Sequence, residues 1–166
     1  MKIEDFKQRL QDAILIADGA MGSLLHETVG AQRCFEELNL TEPEVIARVH
    51  RSYIEAGAQI IETNTFAANR MKLAPLGLAE QVARINSAGV KIARDVRDTS
   101  GREVLVAGSI GPLGVARHMR PLSTDELREA FREQAAALEE RGVDLFVLET
   151  FSDADELTGA IEAIRS

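Results

Sequence analysis

The sequence predicts an α/β protein made of four βα units, and three observations carry that reading. Short apolar runs recur along the chain at Ala13 to Ile16, Ile60-Ile61, Val104 to Ala107 and Leu145 to Leu148. Continuous apolar runs of this length suit strands buried on both faces, as in a parallel sheet. Amphipathic segments long enough for crossover helices separate them, and parallel strands require such crossovers. Each run also delivers polar groups at its carboxyl end: Asp18, Glu62, Ser109 and Glu149. In α/β folds that end of the sheet is where ligand-handling groups sit.

Ile3 to Leu10 reads as a lead-in helix, with Phe6 and Leu10 four apart. Ala13 to Ala17 is the first expected strand. Asp18-Gly19-Ala20-Met21-Gly22-Ser23 ends it, its two glycines allowing a sharp turn or a close approach to a ligand. Leu24 to Leu40 has no clean period and reads as a long functional loop. Thr41-Glu42-Pro43-Glu44 is a helix start: threonine can cap, proline suits the first turn, and acids favour the positive end of the dipole. Val45, Ile46, Val49, Tyr53 and Ile54 form its apolar stripe, and Gly57 stops it. The second strand is Ala58 to Glu62.

A loop from Asn64 to Gly77 follows, then a helix from about Leu78 to Asp98 with Val82, Ile85, Gly89, Ile92, Ala93 and Val96 on one face. Glu103 to Gly108 is the third strand, and Ser109-Ile110-Gly111-Pro112-Leu113-Gly114 opens a third loop. Its glycines fit either an anion cradle or a strand leaving a crowded rim. Ser123-Thr124-Asp125-Glu126 starts a helix carrying Leu127, Phe131 and Leu138, and Gly142 ends it. Val143 to Leu148 is the fourth strand. Ser152-Asp153 caps a last helix with Leu157, Ile161 and Ile164 on one side. Two architectures fit this order: a doubly wound open sheet, or the first half of a (βα)₈ barrel. Long loops after strands favour the barrel, whereas a full barrel takes about 250 residues.

Bulk properties narrow the function. A chain of 166 residues can bury roughly 70 % of the surface its unfolded form exposes. A net charge of −8 argues against nucleic acid and anionic membranes as partners. No apolar stretch approaches the roughly 20 residues of a membrane span, and Met1 to Gln11 lacks a signal-peptide core. A cytoplasmic location is the default expectation. The single cysteine, Cys34, allows neither an internal disulfide nor a multi-cysteine metal site in this chain.

Glu149 and Asp18 are the candidates for gripping a ligand's amino group, because a desolvated carboxylate needs a partner. Glu62 fits that role or a structural one equally well. Asn64 and Thr65 either line a pocket or hydrogen-bond their own loops. The glycines after Asp18 lack the dinucleotide fingerprint. His26, His50 and His118 lack metal-like spacing, and His50 reads as a surface or packing residue on its helix. Arg117-His118-Met119-Arg120 is a small basic loop, either solvated or facing an anionic tail.

Five stretches occur in an order that resembles the amino-terminal half of the homocysteine S-methyltransferase domain. They are Asp18-Gly19-Ala20-Met21-Gly22, Cys34-Phe35-Glu36-Glu37-Leu38-Asn39, Glu62-Thr63-Asn64-Thr65-Phe66, Gly108-Ser109-Ile110-Gly111-Pro112 and Leu148-Glu149-Thr150-Phe151. The resemblance spans nearly the whole chain. It implies the first four βα units of a (βα)₈ TIM barrel, truncated in this chain, as one domain over residues 1–166. It implies methyl transfer to homocysteine, giving methionine, with zinc on three cysteines holding the substrate sulfur as thiolate. That activation makes chemical sense, since a free thiol with a pKa of about 8.5 is mostly protonated at neutral pH. The donor is left open between methyl-folate, methylcobalamin, betaine and S-methylmethionine. Asp18 and Glu149 would meet the homocysteine amino group, with Asn64, Thr65 and Ser109 lining the same mouth. The zinc cysteines of the family lie on later strands, and Cys34 is not among them. No catalytic or metal residue is therefore expected in this chain, which alone should be inactive and, with open sheet edges, prone to self-association. The alternative is a non-catalytic α/β module that binds a small ligand, or a subunit completed by another chain.

Overall fold

The computed structural model describes residues 3–114 and 123–166. The basic stretch Arg117-His118-Met119-Arg120 lies outside the described residues. Those residues form an α/β fold around a three-stranded parallel sheet in sequential order, β1 (Ile60–Glu62), β2 (Leu105–Ile110) and β3 (Leu145–Leu148). The register pairs Glu62 with Ala107 and Ile110 with Leu148. β2 is buried along its whole length, as its central position requires.

The first expected strand is reduced to a single parallel bridge, Ala17 to Ile60. Ile16 still accepts backbone hydrogen bonds from Gln59 and Ile60, and Asp18 N–H donates to Ile60 O at 2.9 Å. Upstream of these bonds no neighbouring strand holds the run among the described residues, and Ile14 is 90 % exposed. The apolar pattern here is that of a buried strand with only one partner.

Helix α1 (Ile3–Asp12) precedes this segment. The expected loop over Leu24 to Leu40 instead holds α2 (Met21–Val29) and the short α3 (Leu38–Thr41). α2 begins after Ala20 without a capping side chain and buries only Leu25 fully. α4 (Pro43–Ala56) has Pro43 in its first turn and ends at Gly57 in the left-handed region. Its N-cap is Glu42, not Thr41, whose hydroxyl donates back to Glu37 O within α3. Val45, Ile46, Val49 and Ile54 are buried as the stripe requires, while Tyr53 is half-buried.

The loop after β1 contains one helical turn, α5 (Arg70–Leu73), capped by Asn69, and a 3₁₀ turn over Ala74–Leu76. α6 (Val82–Ser100) packs on α4 and on β2. α7 (Thr124–Arg141) starts at a full capping box between Ser123 and Glu126 and stops at Gly142. α8 (Ala154–Arg165) is capped by Asp153, whose side chain accepts from the backbone of Asp155 and Glu156. On α8 the fully buried residues are Ala160 and Ala163, and Ile161 is 41 % exposed. The close packing of α7 on α8 seats small side chains at the contact and leaves Ile161 outside it.

The core has two main parts. One packs Leu25, Ile46, Ile54, Ile61 and Val106 between α2, α4 and the sheet. The other packs Ile110, Phe131, Leu138 and Ala160 between β2, α7 and α8. Together they fix the strands, and so fix what their carboxyl ends present. No helix among the described residues is long and apolar enough to cross a membrane.

Candidate functional site

Three strand ends and one bridged segment place their polar residues around one cleft of about 500 Å³. Asp18 enters from the bridged segment, Glu62 from the end of β1, Ser109 from β2, and Glu149 from just beyond β3. Asn64, Thr65 and Phe66 supply the wall from the loop after β1. Parallel strands in sequential register make this convergence unavoidable, because their carboxyl ends all lie on one rim.

Asp18 and Glu149 are held in place. Asp18 Oδ2 accepts from Glu62 N at 2.9 Å. Ser109 Oγ donates to Glu149 Oε1 at 2.5 Å. Thr150, next to Glu149, is the one non-glycine residue with positive φ (60°) among the described residues. Such backbone strain costs on the order of 1–3 kcal/mol and is found where surrounding structure fixes a functional group.

Asn64 and Thr65 line the cleft but spend their polar groups on the framework. Asn64 Nδ2 donates to Phe35 O at 2.8 Å and to Asn39 Oδ1 at 3.0 Å. Asn39 Nδ2 returns a bond to Asn64 O at 2.8 Å. Thr65 Oγ1 donates to Ser109 O at 2.8 Å and accepts from Thr63 Oγ1, while Thr63 Oγ1 accepts from Ser109 N. That closed circuit locks the loop after β1 to β2. Gly89 of α6 lets this network approach the helix: a Cβ there would stand 2.8 Å from both Asn39 Nδ2 and Thr65 Cγ2. Gly111 plays the same part across the rim, where a Cβ would stand 2.3 Å from the Phe66 ring. The glycines after Ser109 therefore relieve a crowded rim.

Burial raises the Asp18 carboxyl to about 6, against the pull of the Glu62 backbone N–H, and nearby Glu149 adds to the rise. Glu62 is pushed up to about 8, first by burial, then by its hydrogen bond to Glu149 and the charges of Glu149 and Asp18. No arginine or lysine among the described residues forms an ion pair with any of the three. The uncapped first turn of α2 opens on the same cleft, with Gly19, Ala20, Met21 and Gly22 in its lining. Free backbone N–H groups at a helix start favour an anion.

Glu36 was only part of a motif in the sequence, and the structure makes it a buried wall of the cleft. Its Oε1 accepts from Ala67 N at 2.8 Å and its Oε2 from the Cys34 thiol at 3.4 Å. Burial and Glu36 push that thiol up to about 11, the reverse of what a metal-bound thiolate needs. Among the described residues no group of three or more His, Cys, Asp or Glu could hold a metal ion. The residues present do not fit a zinc site.

A parallel α/β scaffold whose acids gather at the carboxyl rim of its strands, in one cleft with an uncapped helix start, is the class that the fold and the cleft define. The comparisons with known proteins sharpen that class. Residues 15–166 match the model of the homocysteine S-methyltransferase family, and the chain belongs to that family. It is 33 % identical to the methionine synthase of Mycobacterium tuberculosis (strain ATCC 25618 / H37Rv) over 171 residues, covering 97 % of this chain and 14 % of that protein. It is 32 % identical to the methionine synthase of Mycobacterium leprae (strain TN), with the same coverage. Among solved structures, the homocysteine methyltransferase MmuM from Escherichia coli in its oxidized form superposes with a TM-score of 0.82 at 29 % identity, over 95 % of this chain and 61 % of that one. The metallated form gives 0.81 at 27 % identity, over 96 % and 62 %. The chain thus spans about a seventh of the curated relatives and about three fifths of the solved ones.

Proposed function

We propose that this chain is the amino-acid-recognising part of a zinc-dependent homocysteine S-methyltransferase, which moves a methyl group onto homocysteine to give methionine. The observation that carries the reading is the meeting of Asp18, Glu62 and Glu149 with the uncapped start of α2 in one cleft. A zwitterionic amino acid matches that polarity, its ammonium on the acids and its carboxylate on the helix start. Asp18 and Glu149 are the direct amine partners. Ser109 orients Glu149, and Asn64 and Thr65 hold the wall. Sequential parallel strands and the likeness to MmuM support a barrel of which this chain forms the first four βα units, as one domain over residues 1–166.

In this reading the zinc of the whole enzyme sits on cysteines outside these residues, and the high Cys34 thiol pKa supports that division. Methyl-folate and methylcobalamin are the donors we favour for the whole enzyme, and the cytoplasm its location. By itself the chain should bind without turning over, and its open sheet edges should drive self-association.

Calorimetry with homocysteine tests the half-site. Glu149→Gln keeps the shape but removes the charge, so affinity should fall about tenfold to a hundredfold, the size of a charge-assisted hydrogen bond. Equal affinity of the two proteins takes Glu149 out of the site. Methyl transfer by the 166-residue chain alone overturns the division of labour.

A further inference from the structure

We infer that Tyr53 is a positioning residue of the cleft: it fixes the gap between Asp18 and the start of α2, and so favours ligands that carry both an amine and a carboxylate. This rests on the amino-acid reading of the site above. Asp18 and Ala20 stand two positions apart, and each is tied to a different element. β1 holds Asp18: its backbone N–H donates to Ile60 O at 2.9 Å, and its Oδ2 accepts from Glu62 N at 2.9 Å. α4 holds Ala20, because the Tyr53 hydroxyl donates to Ala20 O at 3.1 Å. Ala20 immediately precedes the first turn of α2 and brings no capping side chain of its own. The acid and the helix start are thus set apart by two separate anchors, and Tyr53 is the second.

Gly19, between those anchors, gives independent support. Its φ lies outside the left-handed region that Gly57 and Gly142 occupy, so backbone conformation does not call for a glycine here. Space does. A Cβ at Gly19 would stand 3.1 Å from the Tyr53 hydroxyl oxygen and 3.4 Å from its Cε1, closer than side chains ordinarily meet. The three atoms nearest to that Cβ all belong to Tyr53. The ring is itself supported, since Tyr53 and Met21 both pack against the core between α2, α4 and the sheet. The turn after Asp18 therefore rests on Tyr53, and the glycine lets it come that close. A ligand with one charged group can settle on one pole wherever that pole lies. A ligand with two groups a fixed distance apart needs both poles in place at once.

The test is calorimetry of native protein and Tyr53→Phe with three ligands: homocysteine, 3-aminopropanethiol, which lacks the carboxylate, and 4-mercaptobutyrate, which lacks the amine. Homocysteine affinity should fall about threefold to tenfold in Tyr53→Phe, the size of one uncharged hydrogen bond, while the two one-headed ligands change by less than about twofold. Gly19→Ala, whose Cβ meets the hydroxyl, should give the same selective loss. The double variant should lose no more than the larger single one, since both changes break one contact. Unchanged homocysteine affinity in Tyr53→Phe overturns the positioning role and leaves the amino-acid reading standing. So does an equal loss for all three ligands, which a general loosening of the fold would produce. Native protein that binds homocysteine no more tightly than the one-headed ligands, or not at all, overturns both. Should Tyr53→Phe misfold, Gly19→Ala with the three ligands decides alone.

Discussion

His50 is fully buried on α4, and neither ring nitrogen has a hydrogen-bond partner among the described residues. Burial pushes its pKa down from 6.5 to about 4, so the folded protein holds the ring neutral. The unfolded chain takes up a proton as pH falls through 6.5, and the folded one refuses it until about 4. Stability linked to His50 is therefore complete above 6.5 and is lost as pH falls toward 4. The loss at pH 5 should reach about 2 kcal/mol. Asp18 and Glu62 bend the curve the other way, since their raised carboxyls favour the folded state at low pH and lose that advantage as pH rises. Urea titrations of native protein and His50→Leu at pH 7 and pH 5 separate the two effects. The variant should lose about 2 kcal/mol less than native between those pH values; an identical loss refutes the assignment. This burial was partly legible, because Ile46, His50 and Ile54 are spaced four apart on one helical face. The charge state of Glu62 was not, because protonation depends on depth and on a neighbour 87 positions away in sequence, Glu149.

Elements with strong local signals sit where their residues place them. α4 and α7 have a proline or a capping box at one end and a left-handed glycine at the other, and both ends fall within a few residues of expectation. The Ser123 side chain accepts from Glu126 N at 3.2 Å, and the Glu126 carboxylate accepts from Ser123 N at 2.9 Å. Ser123→Ala removes the first of these bonds and should cost about 1 kcal/mol in urea unfolding, while Ser123→Asp should keep most of the stability. Equal loss in both variants would show that the cap is not what holds the helix start. α2 was not legible, because Gly22, Ser23, Thr28 and Val29 are modest helix formers and Ala20 offers no cap. Tertiary contact with α4 holds it instead. The first strand fails for the opposite reason. Its residues favour extended chain, yet a strand needs ladders, and Ala17 is its only bridged residue.

At the scale of the molecule, the order of apolar runs was enough to place the polar ends of three strands and one bridged segment on one rim, because parallel segments share direction. What the runs could not say is how the sheet ends. Its two outer members are the bridged segment before β1 and β3 itself. Ile14 and Ile16 on the first are 90 % and 59 % exposed, beside a Leu10 that is 52 % exposed. Unpaired edges with apolar side chains recruit other strands. The 166-residue chain should therefore associate with itself as concentration rises, and sedimentation velocity should record a growing fraction heavier than monomer. Ile14→Lys with Ile16→Lys puts two charges on that edge and should return the protein to monomer without moving its melting temperature by more than a few degrees, since both side chains already face solvent. A native chain that stays monomeric at high concentration rules this edge out as an association surface. Association that persists unchanged in the double variant shifts the contact to β3, whose four residues are all half-buried.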